Sequence, residues 1–114
     1  MDQQEIITGQ ALYSYEHYLY GEAYYGSYKG MRYRIAREPL EKVVFADEAK
    51  RQEGQFMVTT WPEPYSIENT SDDKKQSFYF PFTEEGRIEA LKCLNEQYYK
   101  NKKEWDKVNE ESLL

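Results

Sequence analysis

The sequence predicts an α+β fold: an antiparallel sheet of about four strands within residues 31–82, with one long C-terminal helix, about residues 84–108, packed on one face. Two observations predict it. Runs that alternate apolar and polar residues, which is typical of half-buried strands, occupy the middle of the chain. After Thr83 the apolar period changes from two residues to about 3.6, which indicates an amphipathic helix. Because the strands precede a single helix, we expect the helix to cover one face of the sheet.

The N-terminal part of the chain divides into a polar tail and a segment rich in tyrosine and glycine. Residues 1–10 have no apolar period and are expected to be flexible. Residues 11–30 hold seven of the twelve tyrosines, and their alternation favours a strand with a bulge. A short helix through Leu12, Tyr15 and Leu19 fits the spacing almost as well. The segment is therefore expected to add either a strand or a short helix.

The first predicted strand of the core has an apolar inner face and a basic outer face. It begins at Met31, places Arg32 and Arg34 on the outer face, and ends before Pro39, which lacks a backbone donor. Three further strands are predicted at residues 43–45, 56–61 and 78–82. The charged stretch 46–55 is expected to be a long hairpin connection between the second and third strands.

The end of the sheet and the start of the helix have clear signals. Pro81 indicates that the fourth strand ends there or lies at an edge. Thr83 is a good N-cap, and Glu84 and Glu85 suit the positive end of the helix dipole. The residues at helical spacing that form the predicted apolar stripe are Ile88, Leu91, Leu94, Tyr98 and Trp105. Cys93 falls at the margin of this stripe or outside it.

Length and composition indicate one globular domain spanning residues 1–114, with its core in residues 31–114. Aromatic residues make up 17% of the chain, which argues against disorder. No apolar run approaches the roughly 18 residues that a membrane-spanning helix needs, and the N-terminal residues lack the features of a secretory signal. The single cysteine, Cys93, cannot form an internal disulfide, so a cytoplasmic location is expected.

The charge balance disfavours nucleic acid as the default partner. The net charge is −6, from 15 basic and 21 acidic residues, whereas phosphate backbones select proteins that neutralise them. The main concentration of bases is Arg32, Arg34 and Arg37, with Lys29 just before it. We interpret these bases as a solvated strand face, and an anion or nucleic-acid patch is the alternative.

Motifs that would indicate an enzyme, a metal site or a bound cofactor are missing from the sequence. A nucleophile activated by a histidine would have to use His17, which has no suitably spaced acid beyond its neighbour Glu16. One histidine and one cysteine do not make a zinc site, and no glycine-rich phosphate loop occurs. The sequence therefore predicts no catalytic residue, no cofactor and no metal.

The aromatic residues are the most unusual feature and supply the candidate contact sites. Tyrosine and tryptophan contribute much of the binding energy at protein interfaces, and twelve tyrosines exceed what a core of this size can bury. Trp61 and Tyr65 bound a loop that two prolines make rigid, which is the first candidate. Tyr20, Tyr24 and Tyr25 are the others. The alternative is that tyrosines line the sheet in cross-strand pairs and that Trp61 fills the core.

These observations favour a small, acidic, non-enzymatic protein-interaction module. Inhibitors, immunity or antitoxin-like proteins and accessory subunits have this character, and an acidic DNA mimic is a sharper variant. A partner protein is expected, and a homodimer is a further option. The alternative is a nucleic-acid-binding module that uses the Arg32 and Arg34 strand face with Arg37 beside it, although alternation turns Tyr33 to the opposite face.

Overall fold

In a computed structural model, Ile7 and residues 14–112 are described, without the side chains of the last two. Nine short elements follow one another along this part of the chain. They are helix α1 (Tyr15–Leu19), strands β1 (Tyr24–Tyr28) and β2 (Met31–Glu38), helix α2 (Glu48–Arg51), strand β3 (Gln55–Pro62), a 3-10 turn (Asp72–Lys74), strand β4 (Gln76–Pro81), and helices α3 (Glu84–Lys100) and α4 (Lys102–Ser112).

The four strands form one antiparallel sheet in the order β1-β2-β3-β4, so the predicted α+β class is confirmed. The register brings Tyr24, Ile35, Val58 and Phe78 into one row across the sheet. Because side chains alternate along a strand, this row and its equivalents two residues away share the inner face, which packs against α3. We call the opposite side the outer face. β1 and β4 are the edge strands.

A two-residue hairpin turn joins β1 to β2. Tyr28 pairs with Met31, so Lys29 and Gly30 form the whole turn, with φ of 42° and 96°. Turns with positive φ at both central residues match the twist of a hairpin and favour glycine, asparagine or aspartate. Gly30 has a second reason to be glycine, because a Cβ there would collide with the backbone carbonyl of Trp105 in α4.

The core lies between the inner face of the sheet and α3. Its centre contains Phe56 and Phe82, whose ring centroids are 4.8 Å apart, and Tyr18 from α1 meets Phe56 edge-on at 5.1 Å. Ile7 is buried in the same core, and the Asn95 side chain bonds to its backbone N–H and C=O. The rest of the predicted tail, residues 1–10, lies outside the described residues.

Two segments before β3 differ from the predictions. The residues at 43–45 form a turn and not a strand, and the expected hairpin connection 46–55 contains the helix α2. Three consecutive apolar residues have no alternation that would distinguish a strand from this turn, in which Val43 is buried, Val44 is half-buried and Phe45 is exposed. Between residues 11 and 30 the structure has both the short helix α1 and the strand β1, so the favoured single strand is wrong over Tyr15–Leu19.

The C-terminal helix also departs from its predicted form. It is interrupted at Asn101, where the Gln97 carbonyl accepts both the Asn101 backbone N–H and the Trp105 indole N–H. The interruption lets Trp105 return to the core, where it is buried. Cys93 is buried and not marginal, whereas Ile88 is exposed. The buried face includes small and polar residues, which an apolar stripe overlooks: Ala90, Cys93, Leu94, Gln97 and Tyr98.

Candidate protein-contact surface

The loop between Trp61 and Tyr65 is shaped by its tryptophan. Trp61 is buried, and its indole N–H donates to the backbone carbonyl of Tyr65 at 2.8 Å. Burial and this bond leave Trp61 unavailable to a partner, but it lies on the outer face opposite Arg32 and not in the core cluster that the alternative interpretation expected it to fill. The Tyr65 side chain is 62% exposed at the end of this loop. Of the two predicted contact residues in the loop, only Tyr65 lies on the surface.

The neighbouring tyrosines of β1 point to opposite faces of the sheet. Tyr24 is half-buried on the inner face and stacks on Tyr33 at 6.2 Å. Burial raises the pKa of Tyr33 to about 12, with a smaller contribution from Tyr24. Tyr25 is exposed on the outer face, where its hydroxyl accepts a hydrogen bond from Arg34 Nε at 3.2 Å. Tyr24 and Tyr25 therefore cannot belong to one contact surface.

The three arginines of β2 have different roles. Arg32 and Arg34 lie half-buried on the outer face, as predicted. Arg37 is 1% exposed, because its odd position turns it to the inner face. Its guanidinium donates to the carbonyls of Pro39, Lys50 and Arg51 at 2.7, 3.1 and 3.3 Å. Arg37 is thus a structural residue, and its grouping with Arg32 and Arg34 as an anion contact was wrong.

An exposed aromatic cluster, which we call the Phe45 patch, is formed by Tyr20, Lys42 and Phe45. The Phe45 side chain is 85% exposed, the highest value among the exposed large hydrophobic residues that the structure describes. Lys42 Nζ lies 5.5 Å from the ring centroid of Tyr20 and 5.1 Å from that of Phe45. Both distances suit a cation–π interaction. Of the predicted contact residues, only Tyr20 belongs to this patch.

The turn that carries Phe45 is held in place by hydrogen bonds to its backbone. Val43 is buried, its N–H donates to the Leu19 carbonyl at 2.7 Å, and its carbonyl accepts from the Ala46 N–H at 3.0 Å. Arg51 donates from Nε to the Val43 carbonyl at 3.1 Å and from Nη2 to the Val44 carbonyl at 2.6 Å. The backbone on the N-terminal side of Phe45 is therefore fixed while its side chain points into solvent.

The helix that supplies Arg51 is itself well defined. Asp47 caps α2 by accepting from the Lys50 N–H at 2.9 Å. Lys50 Nζ lies 3.3 Å from Glu41 and 3.2 Å from Glu53, and these two carboxylates raise the pKa of Lys50. Because all these groups are exposed, the ion pairs add little to stability. They place charges of both signs on the two segments that flank the turn in the sequence.

The other clefts described for the chain do not indicate a catalytic or metal site. One cleft, of about 800 Å³, opens between the 62–76 loop and α4, and its charged lining has both signs. Burial raises the pKa of the Cys93 thiol to about 11, with a smaller contribution from Glu96, so the thiol is not activated. Within the described residues there is no group of three or more His, Cys, Asp or Glu side chains that could hold a metal ion. Over the same residues, no helix is long and apolar enough to cross a membrane.

Sequence reasoning missed Phe45 as a contact residue. It follows two valines, so the segment resembled a short buried strand. Its exposure depends on Arg51, which lies six residues further along the chain. The Arg51 guanidinium donates to the carbonyls of Val43 and Val44, which in a strand would accept from a neighbouring strand. Nothing in the local pattern indicates these bonds. Comparison of the chain with protein-family models, with curated proteins and with solved structures finds no match.

Proposed function

We propose that this chain is a non-enzymatic protein-interaction module that binds a partner protein through the Phe45 patch. The observation that supports it is the 85% exposure of Phe45 on a turn whose backbone is held by Arg51. Burying a phenylalanine side chain is worth about 1.5–3 kcal/mol. A side chain whose backbone is already ordered loses less entropy when it binds, so more of that energy appears as affinity.

The composition of the patch indicates the chemistry of the partner. Aromatic anchors at interfaces fill pockets on the other protein, and Phe45 is the anchor here. Among the described residues, Lys42 contacts two rings but pairs with no carboxylate. A partner with an apolar pocket and an acidic group at its rim would match both features. Tyr20 would then pack at the edge, where its hydroxyl can stay solvated.

The biological role that suits such a module is that of an inhibitor, an immunity or antitoxin-like protein, or an accessory subunit. We place it in the cytoplasm, where the free thiol of Cys93 would remain reduced. The net charge of −6 would speed association with a basic partner. A DNA mimic remains a special case of this proposal, in which the acidic surface would occupy a phosphate-binding groove.

A second candidate is nucleic-acid binding by the outer face of the sheet. Arg34 and Tyr25 favour it, since their contact forms a cation–aromatic pair on an exposed face, with Arg32 on the same strand. Aromatic platforms beside cations are typical of single-strand binding. With Arg37 buried, only two arginines remain, so the salt dependence of such binding would correspond to about two phosphate contacts.

The experiment is an affinity capture from the native lysate, with and without nuclease, followed by titration of the purified retained protein. Wild type is compared with Phe45→Ala and with Tyr65→Ala, a matched control at an exposed aromatic outside the patch. We expect Phe45→Ala to weaken the affinity at least about tenfold, typical of a hot-spot truncation, and Tyr65→Ala to change it less than about twofold. Equal affinity of Phe45→Ala and wild type would overturn the proposal. Retention that nuclease abolishes and Arg34→Ala weakens would favour the second candidate.

A further inference from the structure

Among the described strands, none pairs with the outward-facing backbone groups of the edge strand β4. The Glu63 N–H donates to the Gly30 carbonyl at 3.0 Å. This bond continues the β2–β3 register by one residue, so Gly30 and Glu63 are a hydrogen-bonded pair. Hydrogen-bonded pairs alternate along an antiparallel ladder, so even-numbered residues of β3 bond to β4. Even-numbered residues of β4 face them. The N–H and C=O groups of Ser77 and Tyr79 therefore point away from the sheet.

Pro81 supports this assignment of the free edge. It occupies the next odd position of β4, where a backbone N–H would point away from β3. A proline at this position therefore removes no hydrogen bond between the strands. Its carbonyl accepts from the Thr83 N–H at 2.9 Å, which ends the edge at the start of α3. The edge thus offers two donors and two acceptors, from Ser77 and Tyr79, in the spacing of an extended strand.

An apolar groove of about 370 Å³ runs beside this edge, between β4 and α3. Its floor on the strand side consists of Phe78 and Phe80, both half-buried on the inner face. Its wall on the helix side contains Cys93 flanked by Glu89 and Glu96. A strand added to β4 would place every second side chain in this groove, because side chains alternate between the two faces.

The charges along the groove define what would fit there. Glu89 and Glu96 lie seven residues apart, which is about 10.5 Å along the helix axis. Within the part of the chain that the structure describes, neither carboxylate forms an ion pair. Of the described residues that line the groove, only Lys92 is a cation, so the rim is acidic overall. Positions i and i+4 of a strand are about 13 Å apart, so two basic side chains can reach both carboxylates.

We propose that the groove between β4 and α3 binds an extended peptide segment of a partner protein as an antiparallel fifth strand. The segment has two basic residues four positions apart and an apolar residue midway between them, all on one face. The apolar side chain packs on Phe78, Phe80 and Cys93, and the basic ones meet Glu89 and Glu96. The main chain bonds to Ser77 and Tyr79. Strand addition of this kind combines main-chain affinity with side-chain selectivity.

This surface is separate from the Phe45 patch, so the two proposals can fail independently. A helical ligand would leave the Ser77 and Tyr79 groups unpaired, which favours an extended one. A second copy of the chain, pairing β4 with β4, is the competing occupant. In such a pair, Lys92 and Cys93 of the two copies would lie at the centre, so Glu89 of one copy would lie near Glu96 of the other. This arrangement brings like charges together.

The probe is the end-blocked heptapeptide Thr-Lys-Thr-Val-Thr-Lys-Thr, which places Lys, Val and Lys on one face. It is titrated to millimolar concentration into the full chain labelled with 15N, and amide hydrogen exchange is followed by NMR. We expect exchange at Ser77 and Tyr79 to slow at least about tenfold, while the amides of Phe78 and Phe80, already bonded to β3, change little. Two control peptides are the version with Glu for both Lys and the version N-methylated at the two central Thr residues.

Three variants complete the experiment. Tyr79→Pro removes one edge donor, and Glu89→Lys with Glu96→Lys reverses the rim charge at two exposed positions. Both are expected to abolish the slowing at Ser77, the amide that every variant retains, whereas Phe45→Ala is expected to retain the slowing at Ser77 and Tyr79. The proposal is overturned if the lysine peptide leaves Ser77 and Tyr79 unprotected or if the N-methylated peptide binds equally well. It is also overturned if these amides are already protected in a free protein that sediments as a dimer.

Discussion

The guanidinium of Arg51 donates to the main-chain carbonyl of Val44 at 2.6 Å, one residue before Phe45. This bond links α2 to the turn that presents the Phe45 patch. A second bond from Arg51 to the Val43 carbonyl holds the same turn. Three bonds from the buried Arg37 hold the carbonyls of Pro39 and of Lys50 and Arg51 in α2. Both arginines thus act on backbone carbonyls. They make an exposed aromatic residue part of a fixed surface.

Phe45 is 85% exposed, so its truncation is expected to leave stability nearly unchanged. Phe45→Ala should alter the free energy of unfolding by less than about 0.5 kcal/mol, as for other surface substitutions. Phe56→Ala, at a fully buried position, should cost about 3–5 kcal/mol. Urea denaturation followed by far-UV circular dichroism measures both. A loss above about 2 kcal/mol for Phe45→Ala would show that its ring packs in the fold.

Arg37 is expected to be essential for stability although it is charged. Arg37→Met removes the donors to Pro39, Lys50 and Arg51, and should lower the free energy of unfolding by about 2–4 kcal/mol. Arg34→Met on the outer face loses one exposed hydrogen bond and should cost less than about 1 kcal/mol. Equal losses for the two variants in chemical denaturation would contradict the structural role of Arg37.

The hairpin turn offers a stabilising substitution. Lys29 adopts a φ of 42°, a left-handed conformation that costs a lysine about 1 kcal/mol and that asparagine adopts more readily. Lys29→Asn should therefore raise the melting temperature by a few degrees, roughly the effect of 0.5 kcal/mol. Gly30→Ala should lower stability by about 2 kcal/mol or more, since its Cβ meets the Trp105 carbonyl. Calorimetry that ranks the two variants in the opposite order would refute the turn geometry.

Stability is expected to fall in alkali because two buried groups resist ionisation. Burial raises the pKa of Cys93 from 9.0 to about 11 and that of Tyr33 from 10.0 to about 12. The folded state then holds protons that the unfolded state releases, so stability is complete below pH 9 and is lost as the pH rises from about 9 towards 12. Cys93→Ala should flatten the decline between about pH 9 and 11. Unfolding free energies measured at pH 8, 9, 10 and 11 test this, and a flat profile for wild type would contradict it.

The periodic parts of the fold could be predicted from the sequence. Alternation identified β2 and β4, and a run of strand-favouring residues identified β3. The change of period together with Thr83 identified α3, and Thr83 caps that helix by accepting from the Gly86 N–H at 3.0 Å. These signals are local, so they can be recognised without knowledge of the tertiary structure. Alternation also assigns Arg37 to the inner face, and grouping it with Arg32 and Arg34 by charge alone ignored this signal.

The candidate site could not be predicted, because it depends on contacts between distant residues. Phe45 is exposed because the Val43 N–H donates to the Leu19 carbonyl and the Val43 carbonyl accepts from Arg51. The residue pattern near Phe45 does not indicate either bond. Trp61 was expected at a contact surface because it is large and follows a strand. Its indole instead binds the Tyr65 carbonyl, a contact set by the path of the loop.

The central claim, that Phe45 is the anchor of a protein contact, is tested most directly by photocrosslinking at that position. The photoreactive p-benzoylphenylalanine replaces Phe45 in one protein and Tyr65 in another, and both are irradiated in the native lysate. We predict one dominant protein adduct from position 45, none from position 65, and suppression of the adduct by excess wild-type chain but not by excess Phe45→Ala chain. Adducts that form equally from both positions, or that the Phe45→Ala chain suppresses as well as wild type, would contradict the account.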